Sequence, residues 1–95
     1  MNLSSEQFLA ALQSDPLAFL LDVRTAAEFN EQHLPNAVLI DIKQASFVED
    51  IAELDPLLNY YVYCRIGIRS ANACMLMRRM GLKTYNLRGG IEALE

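Results

Sequence analysis

Residues Ala18-Phe19-Leu20-Leu21-Asp22-Val23 form an almost unbroken apolar run of strand length. A strand with apolar side chains on both faces needs cover on both, the situation of a parallel strand lying between two layers of helices. Tyr60-Tyr61-Val62-Tyr63-Cys64 has the same character, rich in β-forming side chains, and Val38 to Ile40 is a shorter version. Between these runs lie stretches with helical signals. Ser4 and Gln7 make a capping box ahead of Phe8, Leu9 and Leu12, and Asp15-Pro16 closes that helix. Thr25 and Glu28 cap a second, short helix. Phe47, Ile51 and Leu54 give helical spacing from about Lys43 to Leu54, where Asp55-Pro56 stops it. A further helix is expected from about Ser70 to Met80 with Gly81 to end it, then a strand from about Thr84 to Leu87, and a remnant helix after Gly89-Gly90. Alternating strands and helices indicate an α/β fold, with no repeat and no linker.

At 95 residues and 53% hydrophobic content the chain fits one soluble globular domain. No apolar run approaches the roughly 20 residues of a membrane span, and Met1 to Gln7 lacks the features of a secretory signal, so a cytoplasmic location is expected. Two cysteines ten positions apart make neither a disulfide framework nor a metal site, so both are expected as reduced thiols. The net charge of −4 argues against nucleic acid as a partner. Its distribution is uneven. Residues 1–55 carry ten acids against Arg24 and Lys43, whereas residues 56–91 carry no acid and six bases, with both cysteines among them. Either the two halves dock and their fields cancel, or the basic segment serves an anion.

The segment with chemical content is Cys64-Arg65-Ile66-Gly67-Ile68-Arg69-Ser70, a cysteine at a strand end whose loop runs into a helix. Ligands of parallel sheets bind beyond the carboxyl ends of the strands, where helix N-termini present unpaired N–H groups and partial positive charge. A thiolate at Cys64 is stabilised there by loop amides and by Arg65 and Arg69, which makes it a nucleophile at neutral pH. Gly67 in mid-loop is free to take positive φ and let backbone donors converge on a small anion or on a sulfur joined to Cys64.

Three stretches together resemble the rhodanese-like sulfurtransferases, specifically their small single-domain members. They are Leu21-Asp22-Val23-Arg24 with Glu28-Phe29, then Gln32-His33-Leu34-Pro35-Asn36-Ala37, then Cys64 to Ser70 backed by Asn86-Leu87-Arg88-Gly89-Gly90-Ile91. The resemblance implies a three-layer α/β/α fold with a mostly parallel sheet of about five strands. It also implies Cys64 as nucleophile and the backbone of Arg65, Ile66, Gly67, Ile68 and Arg69 as its cradle, with Leu3 a remnant of an extra edge strand. Asp22, Arg24 and Ser70 are expected as supporting residues, the first two bracing the loop, with an Arg24–Glu28 surface pair as the other reading.

By the same resemblance Cys64 takes the sulfane sulfur of thiosulfate or a similar small anionic donor as a persulfide. Cyanide, a thiol or a protein acceptor then removes it, with no metal or organic cofactor. The alternatives are a sulfur relay or protein-binding module without turnover, and a phosphatase or arsenate reductase. The last two use a loop with five residues between cysteine and arginine, whereas here four separate Cys64 from Arg69. Cys74 is expected as a small buried helix residue rather than a resolving thiol. His33 is expected in a structural turn rather than as a base. Met75, Met77 and Met80 are expected to pack, and Arg78 and Arg79 to form a solvated face. Gln32 and Asn36 occupy positions where the family usually has glycine. The sequence stops at Leu94-Glu95 where relatives usually continue with a tryptophan, which is expected to leave an open apolar rim.

Overall fold

A computed structural model of the chain describes residues 1–94. Glu95 lies outside them. The strands are β1 (Asn2–Leu3), β2 (Ala18–Asp22), β3 (Val38–Leu39), β4 (Asn59–Tyr63) and β5 (Lys83–Leu87), and the helices are α1 (Ser5–Ser14), α2 (Ala26–Glu31), α3 (Phe47–Ala52) and α4 (Ile68–Arg79). A 3-10 turn at Ile91–Leu94 follows. The five strands form one sheet in the order β1-β5-β4-β2-β3, with every pairing parallel. Leu3 pairs with Leu87 at the edge, as the remnant strand requires.

The apolar runs are explained by two cores. Leu21, Val23, Tyr60, Val62 and Cys64 point to one face, where Phe47 and Ile51 of α3 and Ala73, Cys74 and Met77 of α4 cover them. The alternate residues Leu20, Tyr61 and Tyr63 join Phe8 of α1 and Ile91 on the other face. Alternation of period two inside an all-apolar run thus supplies both layers of an α/β/α sandwich.

Both predicted capping boxes form. Ser4 Oγ accepts from Gln7 N at 3.2 Å while Gln7 Oε1 accepts from Ser4 N at 3.0 Å. Thr25 and Glu28 reciprocate in the same way at 3.3 and 3.1 Å. Two helices differ from expectation. α3 is confined to Phe47–Ala52 because Asp41 turns the chain first: its carboxylate accepts from Lys43 N at 2.8 Å and its carbonyl from Gln44 N at 3.1 Å. An aspartate that bonds its own backbone two residues on competes with helix. α4 begins at Ile68, two residues earlier than the apolar pattern indicates, because Gly67 caps it at φ +99° while Ile68 faces solvent and contributes nothing to the buried stripe. Among the described residues no helix is long and apolar enough to cross a membrane.

Candidate active site

The early start of α4 decides the surroundings of Cys64. The first intrahelical bond runs from Ala71 N to Gly67 O at 3.2 Å, so the amides of the preceding turn have no helical acceptor. Ser70 N points at Cys64 Sγ at 3.3 Å, and Gly67 N reaches the same sulfur at 3.1 Å. Ser70 Oγ lies 3.2 Å from it. Two amide donors and a hydroxyl therefore converge on one sulfur at the positive end of a twelve-residue helix. Cys64 is 0% exposed and shares the α4-side core, so its sulfur has apolar packing on one side and amides on the other.

The loop is held from behind by β5 and the segment after it. Ile91 N donates to Cys64 O at 2.9 Å and Glu92 N to Arg65 O at 3.2 Å. Asn86 Nδ2 reaches Gly67 O at 3.3 Å. This contact is close enough that two glycines are required. A Cβ on Gly90, at φ +68°, would stand 2.2 Å from Arg65 O, and one on Gly67 would stand 3.0 Å from Gly89 N. Neither position accommodates a side chain without moving the backbone that aims the amides.

Both arginines of the loop are ion-paired. Arg65 Nε donates to Glu92 Oε2 at 2.9 Å on the surface. Arg69 makes a bidentate pair with Glu28, Nη1 to Oε1 at 2.7 Å and Nη2 to Oε2 at 2.9 Å. That guanidinium holds the Glu28 carboxyl well below its usual range, at about 2. The pair also ties α2 to the first turn of α4.

Residues 4–95 match the family model of the rhodanese-like domain. The chain belongs to the rhodanese-like family. A protein of Allochromatium vinosum named a sulfurtransferase is 32% identical over 97 residues, an alignment covering 96% of this chain and 84% of that protein. YtwF of Bacillus subtilis is 36% identical over 84 residues, 88% of this chain and 80% of that one. The crystal structure of a rhodanese-like domain protein from Staphylococcus aureus superposes with a TM-score of 0.87 at 24% identity, covering 99% of this chain and 90% of that one.

Within this rhodanese-like fold the residues singled out from sequence divide into three groups. Cys64, Gly67 and Ser70 meet at the sulfur, and Ser70 touches it directly with both its amide and its hydroxyl instead of standing behind the loop. Arg65, Ile66, Ile68 and Arg69 form the outer wall, with Ile66 52% and Ile68 64% exposed. Asp22 and Arg24 form a buried pair. Arg24 Nε and Nη2 bond the Asp22 carboxylate at 2.7–3.1 Å, Arg24 Nη2 also donates to Gln32 O at 2.7 Å, and the guanidinium lies 5.5 Å over the Tyr63 ring. These bonds fasten the 32–36 turn instead of the 65–69 loop, and Arg24 pairs with Asp22, not Glu28. Tyr63 Oη accepts from Leu34 N at 3.1 Å in the same turn. Asn36 takes φ +68°, the left-handed angle that its glycine-like position demands, while Gln32 stays extended.

His33 is structural, its ring stacked on Phe29 at 3.8 Å and its Nδ1 2.8 Å from Phe29 O. Cys74 is buried inside α4, and burial pushes its thiol up to about 11. Of Met75, Met77 and Met80, Met77 packs, whereas Met75 and Met80 are exposed. Arg78 and Arg79 are both exposed, as a solvated face requires, and Arg78 is in addition anchored, donating to Thr84 Oγ1 and Thr84 O at 2.9 Å. Sequence reasoning missed Glu28 and Glu92 as partners of the loop arginines and Asn86 as a brace of Gly67. The Gly89-Gly90 pair was the visible signal of the close approach behind the loop.

Proposed function

We propose that this protein moves a sulfane sulfur from thiosulfate or a related donor to a thiol or cyanide acceptor through a persulfide on Cys64. The observation that carries this reading is the convergence of Gly67 N, Ser70 N and Ser70 Oγ on Cys64 Sγ within 3.1–3.3 Å. Hydrogen bonds to the ionised form favour it, and charge-assisted ones are the strong kind. The Cys64 thiolate attacks the outer sulfur of the donor. A new S–S bond forms at Sγ, the donor's S–S bond breaks, and its electron pair leaves with sulfite when thiosulfate is used. The persulfide anion keeps the same set of donors, which act on developing charge as an oxyanion hole does. An acceptor thiolate or cyanide then attacks the outer sulfur, and the bonding pair returns to Sγ as thiolate. Two modest displacements replace one difficult transfer.

The complete burial of Cys64 favours a second reading, a carrier that accepts a sulfur and passes it to one partner without turning over small molecules. Thiocyanate release from thiosulfate and cyanide separates the two. Sustained turnover that disappears in Cys64→Ser supports the enzyme, and stoichiometric loading without turnover supports the carrier. Cleavage of an aryl phosphate without any sulfur transfer overturns both.

A further inference from the structure

A hollow of about 520 Å³ lies between α4 and the edge strand β1, a volume usual for a small-molecule site. None of its lining residues belongs to the 65–69 loop. Its floor is Asn86, 4% exposed, together with Cys74, 5% exposed. The orientation of the Asn86 amide is fixed, because Gly67 O can only accept and takes Nδ2 at 3.3 Å, while Asn2 Oδ1 takes the same nitrogen at 2.9 Å. Asn86 Oδ1 is left over. Among the described residues it is the one buried side-chain nitrogen or oxygen without a hydrogen-bond partner. A buried carbonyl oxygen with nothing to accept from destabilises the fold, and it marks a place where a donor belongs.

The walls of the hollow supply cations and an apolar surface. Arg78 uses two of its five donors on Thr84, at Oγ1 and O, and Arg79 Nη2 lies 3.6 Å from the neutral Met75 Sδ. Among the described residues neither guanidinium has an ion-pair partner, and no carboxylate lines the hollow. Ala71 and Met75 of α4 and Met1 beside β1 form the apolar wall. Thr84 precedes Asn86 by two residues on β5, so the guanidinium held at Thr84 and the unpartnered carbonyl are roughly 7 Å apart along the strand, the length of two extended residues. We propose that this hollow binds a small apolar carboxylate with an amide N–H about two residues away from the charge, the chemistry of an N-acylated apolar dipeptide. The N–H donates to Asn86 Oδ1, the carboxylate takes the remaining donors of Arg78 and Arg79, and the side chains lie on Ala71 and Met75. This site stands apart from the sulfur-transfer reading and does not depend on it.

The test is a titration of isotope-labelled protein with N-acetyl-leucyl-leucine, followed by the NMR shifts of backbone and side-chain amides. Saturating shifts are expected at the Asn86 side-chain amide and at Ala71, Met75, Arg78 and Arg79, with a Kd of about 1 mM or tighter. The C-terminal amide of the same probe, which lacks the charge, is expected to bind at least about tenfold more weakly. The probe methylated on its acetyl-bearing nitrogen is expected to bind about fivefold more weakly, the effect of one lost hydrogen bond. The double variant R78Q/R79Q is expected to weaken binding of the acid about tenfold and to leave the amide probe within about twofold, a split that general loss of folding would not produce. Equal binding of the acid and its amide by the unaltered protein overturns the proposal. So does a saturating shift pattern centred on Ile66 and Glu92, or the absence of any saturable shift up to about 10 mM.

Discussion

Cys64 and Cys74 are ten residues apart, both almost fully enclosed, and both packed in the core between the sheet and α4. Their surroundings still differ in the one respect that matters for reactivity. Cys64 precedes the helix, where the amides of Gly67 and Ser70 have no carbonyl to serve and turn to the sulfur. Cys74 lies in the middle of the helix, where amides are consumed by the carbonyls four residues back, and burial pushes its thiol up to about 11. Enclosure alone makes a thiol inert. Enclosure together with orphan amides makes it a candidate nucleophile.

The comparison breaks most visibly by exchanging the sulfurs. Cys64→Ser is expected to lower sulfur transfer at least about a thousandfold, as loss of a nucleophile does, while Cys74→Ser stays within about twofold; steady-state turnover of each variant measures this. Next comes the backbone that aims the amides. Gly90→Ala forces a Cβ to within 2.2 Å of Arg65 O, and is expected to cost about 3 kcal/mol of stability in thermal or denaturant unfolding and about a hundredfold in transfer. Ser70→Ala removes the hydroxyl 3.2 Å from Sγ but keeps the amide. A single bond to a charged group is worth about 1.5 kcal/mol at the low end, so a loss of roughly tenfold in the loading rate is expected, with unfolding midpoints little changed.

The smallest effect is on acid stability. The Glu28 carboxyl is held at about 2, below its ordinary value of 4.5, so the Arg69 pair stabilises the fold above about pH 4.5 and loses that contribution as pH falls through about 2. Glu28→Gln is expected to flatten this part of the curve of unfolding midpoint against pH and to leave the midpoint near pH 7 lowered by only a few degrees. An unchanged slope between pH 4.5 and pH 2 would show that the pair does not fasten α2 to α4.

Most of the architecture was legible because it is written in local chemistry. The apolar runs at 18–23 and 60–64 require two covering layers, and the Ser4–Gln7 and Thr25–Glu28 boxes mark helix starts within a residue. The cysteine, glycine and serine of the loop were also legible, since a strand end feeding a helix places them together. What sequence could not yield is pairing across distance. Glu28 and Arg69 are 41 positions apart, and Arg65 and Glu92 are 27 apart, so the acid-free stretch from 56 to 91 looks like a cationic surface until folding brings carboxylates to it. The Asp22–Arg24 pair was visible as neighbours, but its target, the carbonyl of Gln32, depends on where the 32–36 turn is folded back.

The most direct test of the central claim is to treat the protein with a sulfane-sulfur donor, weigh it intact, and map the added mass by peptide. The amide-ringed thiol predicts one added sulfur atom, located on Cys64, absent in Cys64→Ser and retained in Cys74→Ser. Sulfur found on Cys74, or retained in Cys64→Ser, would contradict it.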